Sequence, residues 1–317
     1  MPPTPPPVHV YSAYAAHMKA ALEAAFPDRP VILWDAPGPF TDGLPEVSYL
    51  LALKPPSGQW GRARRLRLLQ APGAGVDHLY PLDGLRPEAV FANSAGISVE
   101  PMSDFALALV LMMIKRLPWA ATAQRDRLWR PFLPGDARQT TLGILGLGRI
   151  GEALARKAAA LGMRVIGTRS TPRPVAHVEA VHGAGDTARV AAEADVLVCL
   201  LPLTEATRGL IGSDILGAMK KTASFINLGR GGVVDEAALA AALVERRLAC
   251  AALDVAEREP LPPDSPLWET PNLVLTPHVA GGFPGHLDAS VAVFAENVRR
   301  LEAGQTVRTA VDRMRGY

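Results

Sequence analysis

Short apolar runs bounded by proline, glycine or polar residues recur through the first hundred residues and alternate with helix-compatible segments such as 13–26. This alternation predicts a parallel sheet covered by helices. The expected strands of this sheet are 8–12, 31–34, 48–53, 66–71 and 89–93.

The pattern changes at Val99, and a longer helical segment runs from Pro101 to Leu117. Residues 101–117 are apolar almost all round the middle of the predicted helix, which indicates a buried helix at a domain or subunit contact. The longest apolar run, 105–114, is too short to span a bilayer.

A second alternating series starts at Thr141 and predicts a complete doubly wound sheet of six strands. After Pro284 the chain becomes helical again, through Glu302. The expected strands are 141–146, 164–168, 195–201, 225–228, 251–255 and 273–276.

The first strand of this series runs directly into Gly146-x-Gly148-x-x-Gly151, and a helical pattern follows. Gly146 would permit a tight turn, Gly148 would let the backbone approach a pyrophosphate, and Gly151 would let the helix pack against the strand. The helix N-terminus offers N–H groups and partial positive charge to the anion. The sequence therefore predicts a dinucleotide site in the second of two α/β domains.

Composition fits a soluble protein of two domains: 317 residues, 49% hydrophobic and 20% charged. The net charge of +2 does not indicate a nucleic-acid or membrane surface. The arginines at 62, 64, 65 and 67 are interpreted as a solvated face. Residues 1–7 do not resemble a signal peptide. Cys199 and Cys250 lie in apolar segments and lack metal-ligand spacing, which predicts buried structural thiols, no metal and a cytoplasmic protein.

Ligands of an open parallel sheet bind beyond the carboxyl ends of its strands. Arg230 and His278 each follow a predicted strand, Asp254 lies at the end of another, and Glu259 lies five residues beyond Asp254. Arginine can hold a carboxylate with two parallel hydrogen bonds, and histidine can donate a proton to a new alkoxide. A carboxylate beside a histidine orients its ring. Hydride transfer to a 2-oxo acid needs this set of groups.

The chain resembles the D-isomer-specific 2-hydroxyacid dehydrogenase family, which includes glyoxylate/hydroxypyruvate reductases and phosphoglycerate dehydrogenase. It is most similar to the glyoxylate/hydroxypyruvate reductase branch, on 124–129 and the segment from Gly304 to Tyr317. The blocks that carry the family resemblance occur in the family's order, at 73–78, 146–151, 201–204, 227–236, 254–260 and 276–281.

The resemblance implies a role for each matched residue. Arg230 would bind the substrate carboxylate and carbonyl, His278 would be the acid/base, and Glu259 would pair with His278. The backbone of Ala74 and Gly75 would also hold the substrate carboxylate. Asp254 would contact the nicotinamide side of the cofactor. The implied cofactor-binding residues are Gly146, Gly148, Arg149, Ile150, Gly151, Arg169, Ser170, Thr171, Leu201, Pro202, Thr207, Leu228, Gly229, Asp254, His278 and Gly281.

The resemblance also implies a Rossmann cofactor domain over 99–286 and a flavodoxin-like substrate domain. The substrate domain would comprise 1–98 and 287–317, so that the C-terminal helix completes it. A homodimer through the apolar helix near 101–117 is implied as well.

The end of the second strand of the cofactor domain carries Arg169, where an NAD enzyme usually has Asp or Glu. Arginine with the neighbouring hydroxyls of Ser170 and Thr171 would bind a 2′-phosphate. One charge-assisted hydrogen bond contributes about 1.5–3 kcal/mol, roughly ten- to a hundredfold in affinity. NADP(H) is therefore expected, with NAD(H) as the alternative if Arg169 stacks on adenine or lies in solvent.

The leading hypothesis is a reductase of a small 2-oxo acid such as glyoxylate or hydroxypyruvate. Formate and phosphite dehydrogenases share the scaffold and stay open, as does a nucleotide-sensing protein of the corepressor type. Trp129 and Trp268 could line a pocket, or could be core or dimer-contact aromatics. The histidines other than His278 are expected to be structural or exposed, with His78 and His286 expected near the substrate cleft.

Overall fold

The computed structural model describes residues 5–314, which form two compact units. One unit holds the chain up to Ser98 together with the chain from Phe283 onward, and Val99–Gly282 forms the other. The chain returns to the first unit at Phe283, ahead of the expected boundary at 286/287, and the Phe283 ring packs on His286, with ring centroids 5.3 Å apart.

The first unit contains a five-stranded parallel sheet in the order β2-β1-β3-β4-β5, which confirms the flavodoxin-like prediction. Four of the strands are shorter than expected and β2 matches its predicted range. The strands are β1 Val8–Tyr11, β2 Val31–Trp34, β3 Tyr49–Ala52, β4 Leu68–Gln70 and β5 Val90–Ala92.

The last helix of the chain packs on this sheet's core. Phe294 and Val298 are fully buried among the apolar side chains of the first helix, including Met18 and Leu22. Buried Asn297 donates to Oε1 of Gln70 at 2.8 Å, which ties the helix to β4. The helices of this unit are α1 Ala15–Ala25, α2 Pro37–Gly43 and α9 His286–Glu302, with 3₁₀ turns at Leu44–Glu46, Trp60–Arg62 and Asp77–Leu79.

The second unit contains a seven-stranded parallel sheet in the order β12-β11-β10-β9-β6-β7-β8, which confirms the doubly wound prediction. The expected count of six strands was wrong, because a three-residue strand lies at the edge beside β7. Its strands are β6 Thr141–Leu145, β7 Arg164–Thr168, β8 Ala180–His182, β9 Val196–Cys199, β10 Ser224–Asn227, β11 Cys250–Leu253 and β12 Leu273–Leu275.

Helices cover both faces of this second sheet. The α-helices within the described part of the unit are α3 Val99–Ile114, α4 Leu117–Arg125, α5 Arg149–Ala160, α6 Thr187–Glu193, α7 Ser213–Ala218 and α8 Glu236–Val244. Short 3₁₀ turns lie at Ala137–Gln139, Ala184–Asp186, Gly231–Val233 and Pro266–Glu269.

The apolar helix predicted over 101–117 is α3, which runs over Val99–Ile114, and a second helix that was not predicted, α4, begins at Leu117. Helix α3 ends at Ile114, because Arg116 adopts a left-handed conformation (φ 55°) just before Leu117 and Pro118 start α4. Ala106 and Val110 of α3 are fully buried in one core with Leu154 and Ala158 of α5. Within residues 5–314 no single helix is long and apolar enough to cross a membrane; α3 and α4 meet that test only jointly, and they bend by 64° at their junction.

Candidate active site

The glycine loop after β6 has the shape that a dinucleotide needs. Gly146 has a φ of +102°, which glycine adopts readily, and a Cβ at Gly151 would overlap the carbonyl oxygen of Gly146. A Cβ at Gly148, in contrast, would meet no heavy atom within 4 Å. The loop is therefore tight where the helix meets the strand and open at its middle glycine, where a pyrophosphate would approach.

Helix α5 begins directly after this open position. Gly148 is the N-cap residue and has no side chain to cap the first turn. The N–H groups of Arg149, Ile150 and Gly151 belong to that turn, whose donors have no acceptors within the helix. These residues fit an anion at the N-terminus of the helix.

Arg169 follows β7 next to the glycine loop, but its guanidinium group already has partners. Its Nη1 donates to the carbonyl of Leu147 and to Oε1 of Glu152, both at 2.6 Å. Ser170 and Thr171 are exposed on the same loop. Sequence reasoning missed the ion pair with Glu152, since it considered Arg169 as a phosphate ligand, a group stacked on adenine or a side chain in solvent, and not as the partner of a carboxylate.

The loops after β9 and β10 touch at their backbones. A Cβ at Gly229 would overlap the carbonyl oxygen of Leu201, so only glycine allows this approach. The hydroxyl of Thr207 donates to the carbonyl of Pro202 at 2.6 Å and thereby closes the turn after Leu201. Leu228 is buried beside them. These residues shape the loop that the resemblance assigns to the cofactor.

Arg230 is held at the end of β10 by Asn227. The side chain of Asn227 donates to the carbonyl of Arg230 at 3.0 Å and accepts from the N–H of Gly229 at 3.1 Å. A Cβ at Gly231 would overlap the backbone of Ala256. The turn that carries Arg230 is thus in backbone contact with the loop after β11, which carries Glu259.

His278 and Glu259 form an ion pair in which Nδ1 lies 2.7 Å from Oε2. The other carboxylate oxygen of Glu259 accepts from the N–H of Ala256 at 3.2 Å, which fixes the carboxylate on its own loop. The His278 side chain is 47% exposed. Since Nδ1 faces Glu259, Nε2 is the ring nitrogen left for a reacting group.

Asp254 organises the loop that carries His278. Its buried carboxylate accepts from the hydroxyl of Thr276 at 2.6 Å and from the N–H groups of Val279 and Ala280 at 3.0 and 2.9 Å. His278 itself has a φ of +54°, an uncommon conformation for a non-glycine residue. Asp254 thus fixes the chain on both sides of His278. Gly281 comes directly after this fixed segment. The implied contact of Asp254 with the cofactor stays a prediction.

A further carboxylate supports the loop after β11. Oε1 of Glu236 accepts from the N–H of Glu257 at 2.6 Å. Burial raises the pKa of Glu236, and the nearby carboxylates of Glu257 and Glu259 act in the same direction, whereas the hydrogen bond from Glu257 opposes them. The site therefore concentrates negative charge around the partner of His278.

Ala74 and Gly75 lie in the first unit, on the loop after β4. The carbonyl of Ala74 accepts from the side chain of Asn93 at 2.8 Å, which orders this loop beside the end of β5. Their implied contact with a substrate carboxylate stays a prediction.

The two tryptophans named as pocket candidates are surface residues. Trp129 is 97% exposed and Trp268 is 55% exposed, so a role in the core of the chain is wrong for both. Of the histidines expected near the substrate, His78 lies 3.5 Å from the carbonyl of Ala52 through Nε2, and His286 starts α9; both belong to the first unit.

Both cysteines are free thiols. Cys199 is fully buried, as expected, whereas Cys250 is only partly buried and donates to the carbonyl of Asn272 at 3.0 Å. Burial raises the pKa of Cys199 to about 12 and that of Cys250 to about 11. Among residues 5–314, no three His, Cys, Asp or Glu side chains gather in a way that could hold a metal ion.

Comparison with known proteins shows which proteins this chain resembles. A model of the D-isomer specific 2-hydroxyacid dehydrogenase NAD-binding domain matches residues 107–280. Glyoxylate/hydroxypyruvate reductase A of Serratia proteamaculans is 33% identical over 305 residues, which cover 94% of this chain and 95% of that protein.

Solved structures give the same result. A D-isomer specific 2-hydroxyacid dehydrogenase from Xanthobacter autotrophicus Py2, in complex with NADPH and MES, superposes with a TM-score of 0.88 at 38% identity and covers 98% of this chain and 99% of that one. An NADPH-dependent glyoxylate/hydroxypyruvate reductase from Sinorhizobium meliloti, in complex with NADP and sulfate, superposes with a TM-score of 0.90 at 32% identity over 99% of this chain and 100% of that one.

Proposed function

Because the chain belongs to the D-isomer specific 2-hydroxyacid dehydrogenase family, we propose that it uses NADPH to reduce a small 2-oxo acid of the glyoxylate/hydroxypyruvate class to the D-2-hydroxy acid. The observation that carries this proposal is the ion pair between His278 and Glu259, 2.7 Å apart at the carboxyl edge of the sheet that bears the glycine loop. A histidine oriented by a carboxylate is the proton donor that carbonyl reduction needs.

Each residue of the site has a separate task in this reaction. The bound dinucleotide supplies the hydride. Arg230 binds the substrate carboxylate and polarises the carbonyl through its guanidinium donors. The Nε2 proton of His278 moves to the carbonyl oxygen as the alkoxide forms, while Glu259 keeps the ring in place through Nδ1.

The first unit also carries a proposed role in binding the substrate carboxylate. We assign it to the backbone of Ala74 and Gly75, which lie on the loop after β4 at the carboxyl edge of the first sheet. In this proposal the substrate-binding unit comprises the chain up to residue 98 and the C-terminal segment. The cofactor unit is formed by the residues between these two segments in the sequence.

The preference for NADPH rests on charge at the end of β7. Arg169 stands where an acidic residue would bind the ribose hydroxyls of NADH and would repel a 2′-phosphate. The Xanthobacter and Sinorhizobium structures were both determined with an NADP cofactor. NADH is the alternative, used less efficiently.

The assembly proposed for this chain is a cytoplasmic homodimer formed through α3 and the segment after α4. Trp129 and Leu133 of that segment are 97% and 90% exposed, and such apolar side chains are typical of a contact between proteins. Two free thiols agree with a reducing compartment. Light scattering behind size-exclusion chromatography tests the dimer, and Trp129→Glu should shift the mass toward the monomer.

The reaction is tested by following the loss of NADPH absorbance with purified protein and a panel of acids: glyoxylate, hydroxypyruvate, pyruvate and 2-oxobutyrate. Formate and phosphite are offered with NADP⁺ in parallel. Turnover of a 2-oxo acid supports the proposal, with production of the D-isomer from hydroxypyruvate, pyruvate or 2-oxobutyrate, since the glycolate formed from glyoxylate is achiral. Turnover of formate or phosphite alone would identify the other enzymes of this scaffold, and nucleotide binding with no turnover of any acid would indicate a sensor.

A further inference from the structure

We propose that Glu152 is a positioning residue for the 2′-phosphate of NADPH and that it holds the guanidinium groups of Arg169 and Arg173 side by side. The inference rests on the proposed NADPH preference and adds two residues to it. Oε1 of Glu152 accepts from Nη1 of Arg169 at 2.6 Å and from Nη2 of Arg173 at 3.2 Å. A single oxygen atom thus joins two arginines of the loop after β7.

The hydrogen bonds of Arg169 show how this arrangement would serve a ligand. Only Nη1 is engaged, by Glu152 and by the carbonyl of Leu147, and within residues 5–314 neither Nε nor Nη2 has a hydrogen-bond partner. Because a guanidinium group is rigid and planar, anchoring one nitrogen fixes the directions of the others. Phosphate oxygens bind best to a pair of parallel N–H donors, which is what Nε and Nη2 offer.

The position of Glu152 in the fold connects this cluster to the cofactor loop. Glu152 lies in the first turn of α5, one residue beyond Gly151, and Leu147 lies within the glycine loop itself. Both anchors of Arg169 therefore belong to the element that would hold the pyrophosphate. A bound dinucleotide would meet the guanidinium groups at a fixed distance from its phosphates.

Charge balance favours the same role. Two arginines that share one carboxylate keep a net positive charge, which suits a phosphate carrying close to two negative charges. The side chain of Arg169 is 25% exposed and that of Arg173 is 58% exposed, so the more withdrawn arginine has the stronger anchor. Without Glu152 the two guanidinium groups would repel each other and separate.

A carboxylate near a phosphate could also act in the opposite way, by competing for the arginines. The two effects differ in sign, which makes the inference testable. If Glu152 competes, its removal strengthens binding of a 2′-phosphate; if it positions the arginines, its removal weakens that binding.

The experiment is calorimetric titration with adenosine 2′,5′-bisphosphate and with adenosine 5′-monophosphate, which differ only in the 2′-phosphate. We expect Glu152→Ala to lower the affinity for the bisphosphate about three- to tenfold and to leave the affinity for the monophosphate unchanged. Glu152→Gln keeps an acceptor oxygen and should restore at least half of the lost affinity in free-energy terms. Arg173→Ala should lower the affinity for the bisphosphate less than Arg169→Ala does.

Glu193→Ala is the matched control, because Glu193 also bridges two arginines of the same unit, Arg164 and Arg189, away from the glycine loop. It should leave both ligands unaffected. Unchanged or tighter bisphosphate binding by Glu152→Ala would overturn the positioning role while leaving the NADPH preference intact. Equal affinity of the wild-type protein for the two nucleotides would instead overturn the proposed NADPH preference itself.

Discussion

Nδ1 of His278 lies 2.7 Å from Oε2 of Glu259, although the two residues follow different strands. The pair forms because β11 and β12 are neighbours in a parallel sheet, so that the loops after them leave from the same edge. The consequence is a histidine whose Nδ1 is engaged by a carboxylate and whose Nε2 is left for chemistry.

Replacing His278 with alanine should remove the proton donor. We expect kcat for 2-oxo acid reduction to fall by roughly 10²–10⁴ while the affinity for NADPH stays within about twofold. Steady-state kinetics and fluorescence titration of NADPH measure the two quantities. His17→Ala, at an exposed histidine of α1, is the control and should change neither. Unchanged turnover in His278→Ala would assign the proton to another group.

Replacing Arg230 with lysine should impair binding and chemistry together. Lysine keeps the charge but cannot offer the planar pair of donors, so we expect KM for the acid to rise and kcat to fall, each about tenfold or more. Arg208 lies on the loop after β9, the strand next to β10, and Arg208→Lys serves as the control. A rise in KM alone would mean that Arg230 binds the carboxylate without polarising the carbonyl.

Arg169→Asp should reverse the cofactor preference. An acidic group at this position accepts from ribose hydroxyls and repels the 2′-phosphate, so the ratio of kcat/KM for NADPH over NADH should fall by about a hundredfold or more. Measuring the ratio rather than either value cancels effects on the acid site. A wild-type protein that already prefers NADH would contradict the assignment of Arg169 to the phosphate.

Asp254→Asn should disorder the loop of His278. An amide cannot accept on both sides as the carboxylate does, and one unsatisfied buried donor costs about 1–3 kcal/mol. We expect a lower melting temperature together with a lower kcat. Asp235→Ala removes a carboxylate that caps α8 and should cost about 1 kcal/mol of stability without any loss of kcat. Full activity in Asp254→Asn would show that the loop holds its shape unaided.

Stability of the first unit should fall as the pH drops below neutrality. Burial lowers the pKa of His9 from 6.5 to about 4, and its Nδ1 has no hydrogen-bond partner within residues 5–314. The unfolded chain therefore binds a proton that the folded chain refuses, so stability decreases from about pH 6.5 to pH 4, by up to about 3 kcal/mol, and this group adds nothing further below pH 4. Urea unfolding at several pH values gives the free energy of unfolding as a function of pH. Between about pH 6.5 and pH 4 this free energy should fall less steeply for His9→Phe than for the wild type and for His17→Phe.

Much of the fold follows from the spacing of apolar residues along the sequence and from the prolines and glycines that bound them. Short apolar runs locate the central strands, and the glycines at 146, 148 and 151 locate the cofactor loop, because each of these signals is local. Strand β8 was missed because its three residues, Ala180, Val181 and His182, do not form an apolar run, unlike the equally short edge strand β12. The break between α3 and α4 was missed although Lys115 and Arg116 interrupt the apolar pattern there and Pro118 follows, because the left-handed conformation of Arg116 has no local sequence signal.

The site is predictable to the extent that strand order decides it. Arg230, Glu259 and His278 could be placed together because adjacent parallel strands end at one edge. The pairing of Glu152 with Arg169 could not, since it depends on how α5 packs beside β7 across 17 positions of sequence. The hydrogen bonds of Asp254 to the loop of His278 span more than 20 positions and depend on a left-handed residue that no local pattern announces.

Residues 99–282 form one uninterrupted stretch, whereas the other unit is assembled from both ends of the chain. A ribosome therefore releases every strand of the glycine-loop sheet before it releases α9, whose Phe294 and Asn297 fill the core around β4 and α1. The nucleotide-binding half can complete its folding during synthesis, while the half made first must wait, with an apolar surface uncovered, for the final helix to arrive.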